Sequence, residues 1–447
     1  MKKSLLSLSF LASIAIFSTA ADMPNIVILF SDDAGYADLG FQPGCVEEMK
    51  KLTPNIDTIA RDGVRLSNGY MSASVCSPSR AGLMTGRYQQ RFGYDNNLPP
   101  GHDGGLPLTE TFGSKRLQAL GYKTALIGKW HLGYPADMHP NKRGFDWFYG
   151  LLQGARKYFP VDGPSPHQVI LDNTKPTKEG GYLTDRFGDA ACEFITDNKE
   201  KPFFLFVSFT APHGPNQPKG SDAKRTAHIE DEKRASYAGL IVSLDDNVGK
   251  VLAHLKKEGL DDNTLVIFTN DNGGQTRTGA NNSPLSGKKG GLLEGGIRVP
   301  WAMRWPGKIK PGTVIDDPII SLDILPTVLE LSGAVAKPGW ELDGTSFLDR
   351  VTGKVDRLAE RPLYWRQHGS EGDRAMREGK WKVHHGRSGG SDPKLYDLSK
   401  DLSEQTDLSA KYPDTLKAMV TKLDTWESQL MEPLWAQSKK GKRRGRK

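Results

Sequence analysis

Two adjacent carboxylates, Asp32 and Asp33, close an apolar run, and Asp271 with Asn272 close another. Like charges held side by side are tolerated when a cation or a proton relieves their repulsion. Three carboxylates and an amide oxygen form an all-oxygen set that suits Ca2+ or Mg2+ rather than Zn2+. Either pair alone reads better as turn-capping residues, whereas both at the strand ends of one sheet read as a metal site. Lys129 and His131 stand two apart in GKWHLG, so alternation points them to one side. His213 stands in APHGP. Lys289, beside Lys288, stands in SGKKGGLLEGG, where glycine lets the backbone approach an anion. Cys76 opens the stretch CSPSR, with Arg80 at its end. Pro78 suits the first turn of a helix and Ser77 its cap. Position 76 is then at a helix N-terminus, where anions are favoured and a thiol is expected to be more acidic. On these residues alone Cys76 is a buried structural cysteine, a thiolate nucleophile, or the precursor of another group.

The elements that must position these side chains are legible as apolar, β-branched runs. Asn25 to Phe30 leads into Asp32, Thr124 to Ile127 into Lys129, Phe203 to Phe209 into His213, and Thr264 to Phe268 into Asp271. Continuous apolar runs of this length predict strands buried on both faces, as in a parallel sheet. Helical patterns lie between them, at Thr109 to Leu120 with Thr109 as cap, and at Tyr237 to Leu255 with Gly259 as stop. Strands alternating with helices predict an α/β fold with a large, mostly parallel sheet flanked by helices, in which ligands bind beyond the carboxyl ends of the strands. After about residue 335 the pattern changes. Pro362 to Arg366 and Ala375 to His384 read as short strands, the second stretch with a turn near Gly379, and Pro413 to Leu430 as a closing helix. The expected organisation is a catalytic unit over residues 21–335, a smaller subdomain of antiparallel sheet plus helix over 336–436, and a basic tail over 437–447.

The chain of 447 residues is 37% hydrophobic and 25% charged, enough for a large core. Lys2 and Lys3, an apolar run from Leu5 to Phe17 and the small residues Ser18 to Ala20 predict a signal peptide over residues 1–20. That run is too short to span a membrane. No other segment reads as transmembrane, so the mature chain is expected to be soluble, exported and periplasmic or extracellular. Net charge is +7, but seven cations lie within residues 439–447. The body is therefore near neutral, and nucleic acid is not an expected partner. The basic tail reads as a solvated end or as a tether to a polyanion. Cys45 and Cys192 could pair in an oxidising compartment, but two buried free thiols are expected.

Cys76 to Arg80, followed by Leu83 to Arg87, resembles the signature of type I sulfatases, a branch of the alkaline phosphatase superfamily. The other motifs match in order: Asp32 and Asp33, Lys129 and His131, His213, Asp271 and Asn272, and Lys289, which lies five positions before Glu294. The resemblance covers nearly the whole mature chain. It implies an alkaline-phosphatase-like fold and conversion of Cys76 to formylglycine by a maturation enzyme. It also implies one bound Ca2+, or Mg2+, held by Asp32, Asp33, Asp271, Asn272 and the modified residue 76. In the implied mechanism the hydrated aldehyde attacks sulfur, Arg80 holds the hydrated residue, and Lys129 and Lys289 neutralise sulfate oxygens. His213 protonates the leaving alcohol, and His131 takes the proton that lets the enzyme-bound sulfate depart. Sulfate esters of carbohydrates are the expected substrates. A phosphodiester or phosphonate hydrolase and an unconverted, inactive glycan-binding protein are the alternatives. Sugar contacts are expected from loops above the strand ends and from the C-terminal subdomain, with His102, Arg156, Trp365, Arg366 and His368 as candidates.

Overall fold

The computed structural model describes residues 23–334 and 339–436. The expected signal peptide, the domain boundary at residue 335 and the basic tail 437–447 lie outside the described residues. Ten strands form one mixed, mostly parallel sheet. Their order across it is Thr313–Ile315, Val64–Leu66, Ala302–Arg304, Thr264–Asn270, Asn25–Ser31, Phe203–Ser208, Lys123–Lys129, Trp147–Leu151, Leu171–Asp172 and Lys175–Pro176. The four apolar runs predicted from the sequence are adjacent, mutually parallel strands at its centre. All seven residues of Asn25–Ser31 are buried, with Ile26, Ile28 and Phe30 in one apolar layer and Val27 and Leu29 in the other. Side chains of consecutive residues point to opposite faces, so both faces of this strand are covered. Burial of each such side chain is worth about 1.5–3 kcal/mol relative to exposure.

The helix Glu232–Lys257 is longer at both ends than the periodic apolar face alone predicted. The Asp231 side chain accepts a hydrogen bond from the backbone N–H of Arg234, capping the first turn, and Gly259 beyond the last turn has φ +72°. The helix expected from Thr109 is shorter, spanning Gly113–Gln118. Thr109 does not cap it. Tertiary contacts hold the preceding residues in a turn: the Glu110 carboxylate pairs with Arg87 at 2.8 Å and its carbonyl accepts from Arg143.

In the C-terminal part four antiparallel strands, Leu363–Arg366, Arg374–Glu378, Trp381–His385 and Lys394–Asp397, pack on the helix Pro413–Glu427. The fourth strand was not anticipated. Cys45 and Cys192 are both free; Cys45 is buried, whereas Cys192 is only half-buried. Among the described residues no helix is long and apolar enough to cross a membrane.

Candidate active site

The strands Asn25–Ser31 and Thr264–Asn270 run parallel with Ser31 opposite Asn270, so Asp32 and Asp271 emerge level at one edge of the sheet. Strand alternation would send Asp32 and Asp33 to opposite sides. Asp33 instead has φ +71°, a left-handed conformation that breaks the alternation. Asn270 stabilises this turn. Its Oδ1 accepts from the Ala34 N–H (3.0 Å) and Ser31 Oγ (2.9 Å), and its Nδ2 donates to the Ala34 carbonyl (3.0 Å). Lys129 ends its own strand, is fully buried, and places Nζ 2.6 Å from Asp32 Oδ2.

Cys76 is the first residue of the helix Cys76–Thr85. Ser77 does not cap that helix, as the sequence had suggested. Val75 holds the cap position with extended backbone, and the Ser77 N–H donates to Asn97 Oδ1 (3.0 Å) while its Oγ accepts from Leu98 N–H (2.8 Å). The Cys76 Sγ lies 3.6 Å from Asp32 Oδ1 and 3.0 Å from Lys289 Nζ. The expectation of an acidic thiol fails. Burial pushes it up to about 12, outweighing the opposing pull of Lys129 and Lys289, and Asp271 and Asp32 add to the rise. As a cysteine this residue is a poor nucleophile.

Arg80 is buried against the carboxylates rather than against Cys76. Its Nη2 is 3.0 Å from Asp271 Oδ2, and its Nη1 donates to Ser208 Oγ and to the Lys129 carbonyl. Burial raises the Asp271 pKa, but Arg80 and Lys129 outweigh it and hold the carboxyl below the usual range. Lys289 Nζ is 2.6 Å from Asp33 Oδ1. Burial opposes its charge, yet Asp33 holds the ammonium well above the ordinary lysine value. Three carboxylates, Asp32, Asp33 and Asp271, therefore face three cations, Arg80, Lys129 and Lys289.

His131 has φ +62°, and its Nε2 lies 3.2 Å from the Leu98 carbonyl. Its Nδ1 is buried without a hydrogen-bond partner among the described residues. Burial, with Lys129 and Arg80 nearby, holds its pKa well below the ordinary histidine value. It is a neutral imidazole that donates to Leu98 and keeps Nδ1 as an acceptor. Gly154 is needed beside it, because a Cβ there would lie 2.4 Å from His131 Cε1. His213 Nδ1 donates to the Gly214 carbonyl (2.7 Å), and its Nε2 is 3.7 Å from Asp33 Oδ2.

The donor set fits a hard divalent cation. Ligand atoms of Asp32, Asp33, Cys76 and Asp271 all lie within 4.8 Å of one another. Asn272 Oδ1 is buried beside them without a hydrogen-bond partner among the described residues, an acceptor left open in the interior. Carboxylate and amide oxygens suit Ca2+ or Mg2+.

Cys76, His131, His213 and Lys289 line the floor of a cleft of about 410 Å3, walled by Asn97, Leu98, Pro99, Gln153, Gly154 and His368, with the carboxylates buried beside them. Of the five candidates for sugar contacts, only His368 lines it. Its Nδ1 donates to Asn96 Oδ1 (2.6 Å), leaving Nε2 as acceptor. His102 does not line it and packs against Trp435, ring centroids 5.2 Å apart. Three expectations are corrected. The Arg156 guanidinium is taken by Glu179 at 2.7 Å. Arg366 is buried in a two-pronged pair with Asp95 (2.9 and 3.1 Å). Trp365 is fully buried, donating to the Met71 carbonyl (2.7 Å), and cannot meet a sugar. Asn97, Gln153, Ser208 and Asn270 went unnoticed in the sequence. Only Ser208 and Asn270 carried a signal, as polar residues ending apolar strands.

A larger cleft of about 560 Å3 lies elsewhere, where the two sheets meet, and holds none of these groups. Three of its four arginines are engaged, Arg361 with Asp323, Arg298 with Glu294 and Arg377 with Tyr70, and it contains none of the carboxylates that could hold a cation beside Cys76. The chemistry therefore belongs to the smaller cleft.

The Sulfatase family model matches residues 24–334, and the model for "N-sulphoglucosamine sulphohydrolase, C-terminal" matches residues 288–429. Arylsulfatase A of Homo sapiens is 33% identical over 463 residues, covering 92% of this chain and 89% of that protein. Arylsulfatase J of Mus musculus is 30% identical, covering 91% of this chain and 76% of that one. The solved structure of Ps i-CgsB in complex with k-i-k-neocarrahexaose superposes with a TM-score of 0.87 at 36% identity, over 93% of this chain and 95% of that chain. With the site's geometry and a likeness that runs through both sheets, the chain belongs to the alkaline-phosphatase-like sulfatase family and is a sulfuric ester hydrolase.

Proposed function

We propose that this enzyme is exported and hydrolyses sulfate esters carried on carbohydrate, with Cys76 as the precursor of formylglycine and one divalent cation, Ca2+ or Mg2+, held by Asp32, Asp33, Asp271 and Asn272. The observation that carries this reading is Cys76 opening its helix on the cleft floor, 3.0 Å from Lys289 Nζ and beside Asp32. Its thiol is held up at about 12, a poor nucleophile as it stands, which favours a residue made to be converted. A maturation enzyme would act on it before folding closes the site. A saccharide substrate is supported by the Ps i-CgsB complex with a carrageenan hexasaccharide at 36% identity.

Formylglycine, when present as its hydrate, supplies one hydroxyl to attack sulfur and a second whose deprotonation releases sulfate. The bound cation supplies positive charge that polarises the sulfate group and acidifies a hydroxyl. The chain's own residues do the rest. Lys129 and Lys289 offset the charge on the sulfate oxygens from fixed, desolvated positions. Arg80 fixes Asp271, and so orients a metal-binding oxygen. His213, with Nδ1 tied to the Gly214 carbonyl, presents Nε2 to protonate the leaving alcohol. His131, neutral and with Nδ1 open, accepts a proton. His368 meets the sugar from the cleft wall.

The test is sulfate release from a panel of sulfated sugars, with the mass of the Cys76 peptide read in the same preparation. Conversion of Cys76 together with sulfate release that vanishes in Cys76→Ala supports the reading. A converted enzyme that turns over phosphate diesters and leaves every sulfated sugar intact overturns it.

A further inference from the structure

His131 carries its proton on Nε2 because Nε2 faces the Leu98 carbonyl at 3.2 Å, and a carbonyl can only accept. Nδ1 is thereby left as the acceptor, buried without a partner among the described residues. Which nitrogen stays open is thus set by the position of one backbone carbonyl. Leu98 lies in no helix or strand. Irregular chain has no ladder of its own, so its position depends on the groups that bond it. The helix Cys76–Thr85 supplies one tie: Asn97 Oδ1 accepts from the Ser77 N–H (3.0 Å), and the Leu98 N–H donates to Ser77 Oγ (2.8 Å).

The other ties come from the far end of the chain. Arg366 holds Asp95 in a two-pronged pair. After the helix Pro413–Glu427 the chain turns back: the Met431 N–H donates to the Gln90 carbonyl (3.1 Å) and the Leu434 N–H to the Gly93 carbonyl (2.8 Å). Trp435 then closes on the segment. It is buried, its Nε1 donates to the Asn97 carbonyl (3.0 Å), and its own carbonyl accepts from Asn96 Nδ2 (2.9 Å). Its ring meets that of Tyr94 edge-on, centroids 4.6 Å apart, and the Tyr94 hydroxyl donates to the His131 carbonyl (3.4 Å). The Trp435 indole therefore fixes the Asn97 carbonyl, one peptide before Leu98. Trp435 itself does not line the cleft.

We propose that Trp435 is a positioning residue for the proton acceptor of the reaction. Through the Asn97–Leu98 peptide it holds the Leu98 carbonyl on His131 Nε2 and so keeps His131 Nδ1 open. The proposal rests on the role given to His131 above. The indole N–H is the decisive group, since phenylalanine at 435 would keep most of the packing on Tyr94 and lose the bond to Asn97.

The test compares the native chain with Trp435→Phe, Trp435→Ala and a control, Trp426→Phe. The control makes the same chemical change where the indole N–H bonds nothing among the described residues. Ring nitrogens of histidine are read by NMR at neutral pH in protein that retains Cys76 unconverted, with His131→Gln identifying the His131 signals. The native chain and Trp426→Phe are expected to show one tautomer, Nε2–H, with a slowly exchanging proton. In Trp435→Phe that proton should exchange roughly tenfold faster. In Trp435→Ala the Nδ1–H form should appear beside it. In converted enzyme, kcat on a sulfated sugar should fall roughly threefold in Trp435→Phe and roughly tenfold in Trp435→Ala. A native tautomer and native proton exchange in Trp435→Phe overturn the proposal, and this variant decides the matter if Trp435→Ala does not fold. Equal changes in Trp426→Phe overturn it as well, since they would follow from loosened packing alone. The reading beneath the proposal fails separately: native kcat in converted His131→Gln would show that His131 is not the acceptor, whatever its tautomer.

Discussion

His131 and Gly154 show how narrowly the cleft floor is set. The imidazole occupies the space in which any side chain at 154 would begin, with 2.4 Å between His131 Cε1 and a Cβ built there. Gly154→Ala must displace the ring or the loop. We expect a fall in kcat of roughly a hundredfold with little change in melting temperature, read from steady-state kinetics and thermal unfolding. A fall in stability with normal kcat would show that the glycine serves the fold. His368 makes the complementary case. It lies on the wall rather than the floor, so His368→Ala should raise KM for a sulfated sugar about three- to tenfold while leaving kcat near its original value. Equal loss in kcat would move His368 into the chemical step. The floor residues were readable from sequence only as a set, because one carboxylate, lysine or histidine ending an apolar run is usually structural, whereas several ending the strands of one sheet point to one site. The acidity of Cys76 was misjudged, because desolvation by distant segments outweighs the local effect of a helix N-terminus.

At the scale of elements, the helix Pro54–Arg61 takes its cap from another helix. Asp245, fully buried in Glu232–Lys257, accepts from the N–H groups of Asn55 (3.0 Å) and Ile56 (2.8 Å) and from Asn55 Nδ2 (2.7 Å). Burial raises its pKa to about 7, against the lowering effect of these hydrogen bonds. Folded, Asp245 keeps its proton up to about pH 7; unfolded, it loses it near the ordinary value of 3.8. The folded state binds more protons across that window, so this group's contribution to stability is full below about pH 4 and is lost as pH rises through 7. Asp245→Asn should flatten that part of the stability profile between about pH 4 and 7, measured by denaturant unfolding. Asp245→Ala should cost about 2 kcal/mol by stranding buried N–H groups. A second element depends on the C-terminal sheet. Lys382, fully buried, sits 2.9 Å from Glu294 and 2.8 Å from Glu404, and Glu404 accepts from the Glu294 N–H (2.6 Å). This node fixes the end of the glycine-rich segment that carries Lys289. Lys382→Met leaves two buried carboxylates without their lysine and should cost about 3–5 kcal/mol. Such a partner across 88 residues leaves no periodic trace in either segment, which is why the node was not legible beforehand.

The whole molecule is one large sheet whose strand ends carry a charge cluster, with a second sheet clamped against it. Saturating Ca2+ should raise the melting temperature, because an ion that binds the native site and not the unfolded chain contributes about 2.7 kcal/mol at a hundredfold excess over Kd. Chelation should reverse that shift and abolish sulfate release, and restored Ca2+ should recover both. A melting temperature indifferent to Ca2+ and Mg2+ would remove the metal from the proposal. The sequence by itself determined which chemistry is available: three carboxylates, two lysines, two histidines and a cysteine, all but Lys289 following an apolar strand or opening a helix, with Lys289 in a glycine-rich loop. Those properties are local, since residue type and hydrophobic period are written in a few neighbouring positions. Tertiary structure alone decided how they are used. The left-handed turn at Asp33 brings two neighbouring carboxylates to one side, and the parallel register of Ser31 with Asn270 sets Asp271 level with them. Arg156, Arg366 and Trp365, chemically suited to a sugar, are spent on Glu179, Asp95 and Met71. Desolvation and pairing depend on residues some 290 positions apart or more, as Trp365 and Met71 are, and only the folded chain brings those together.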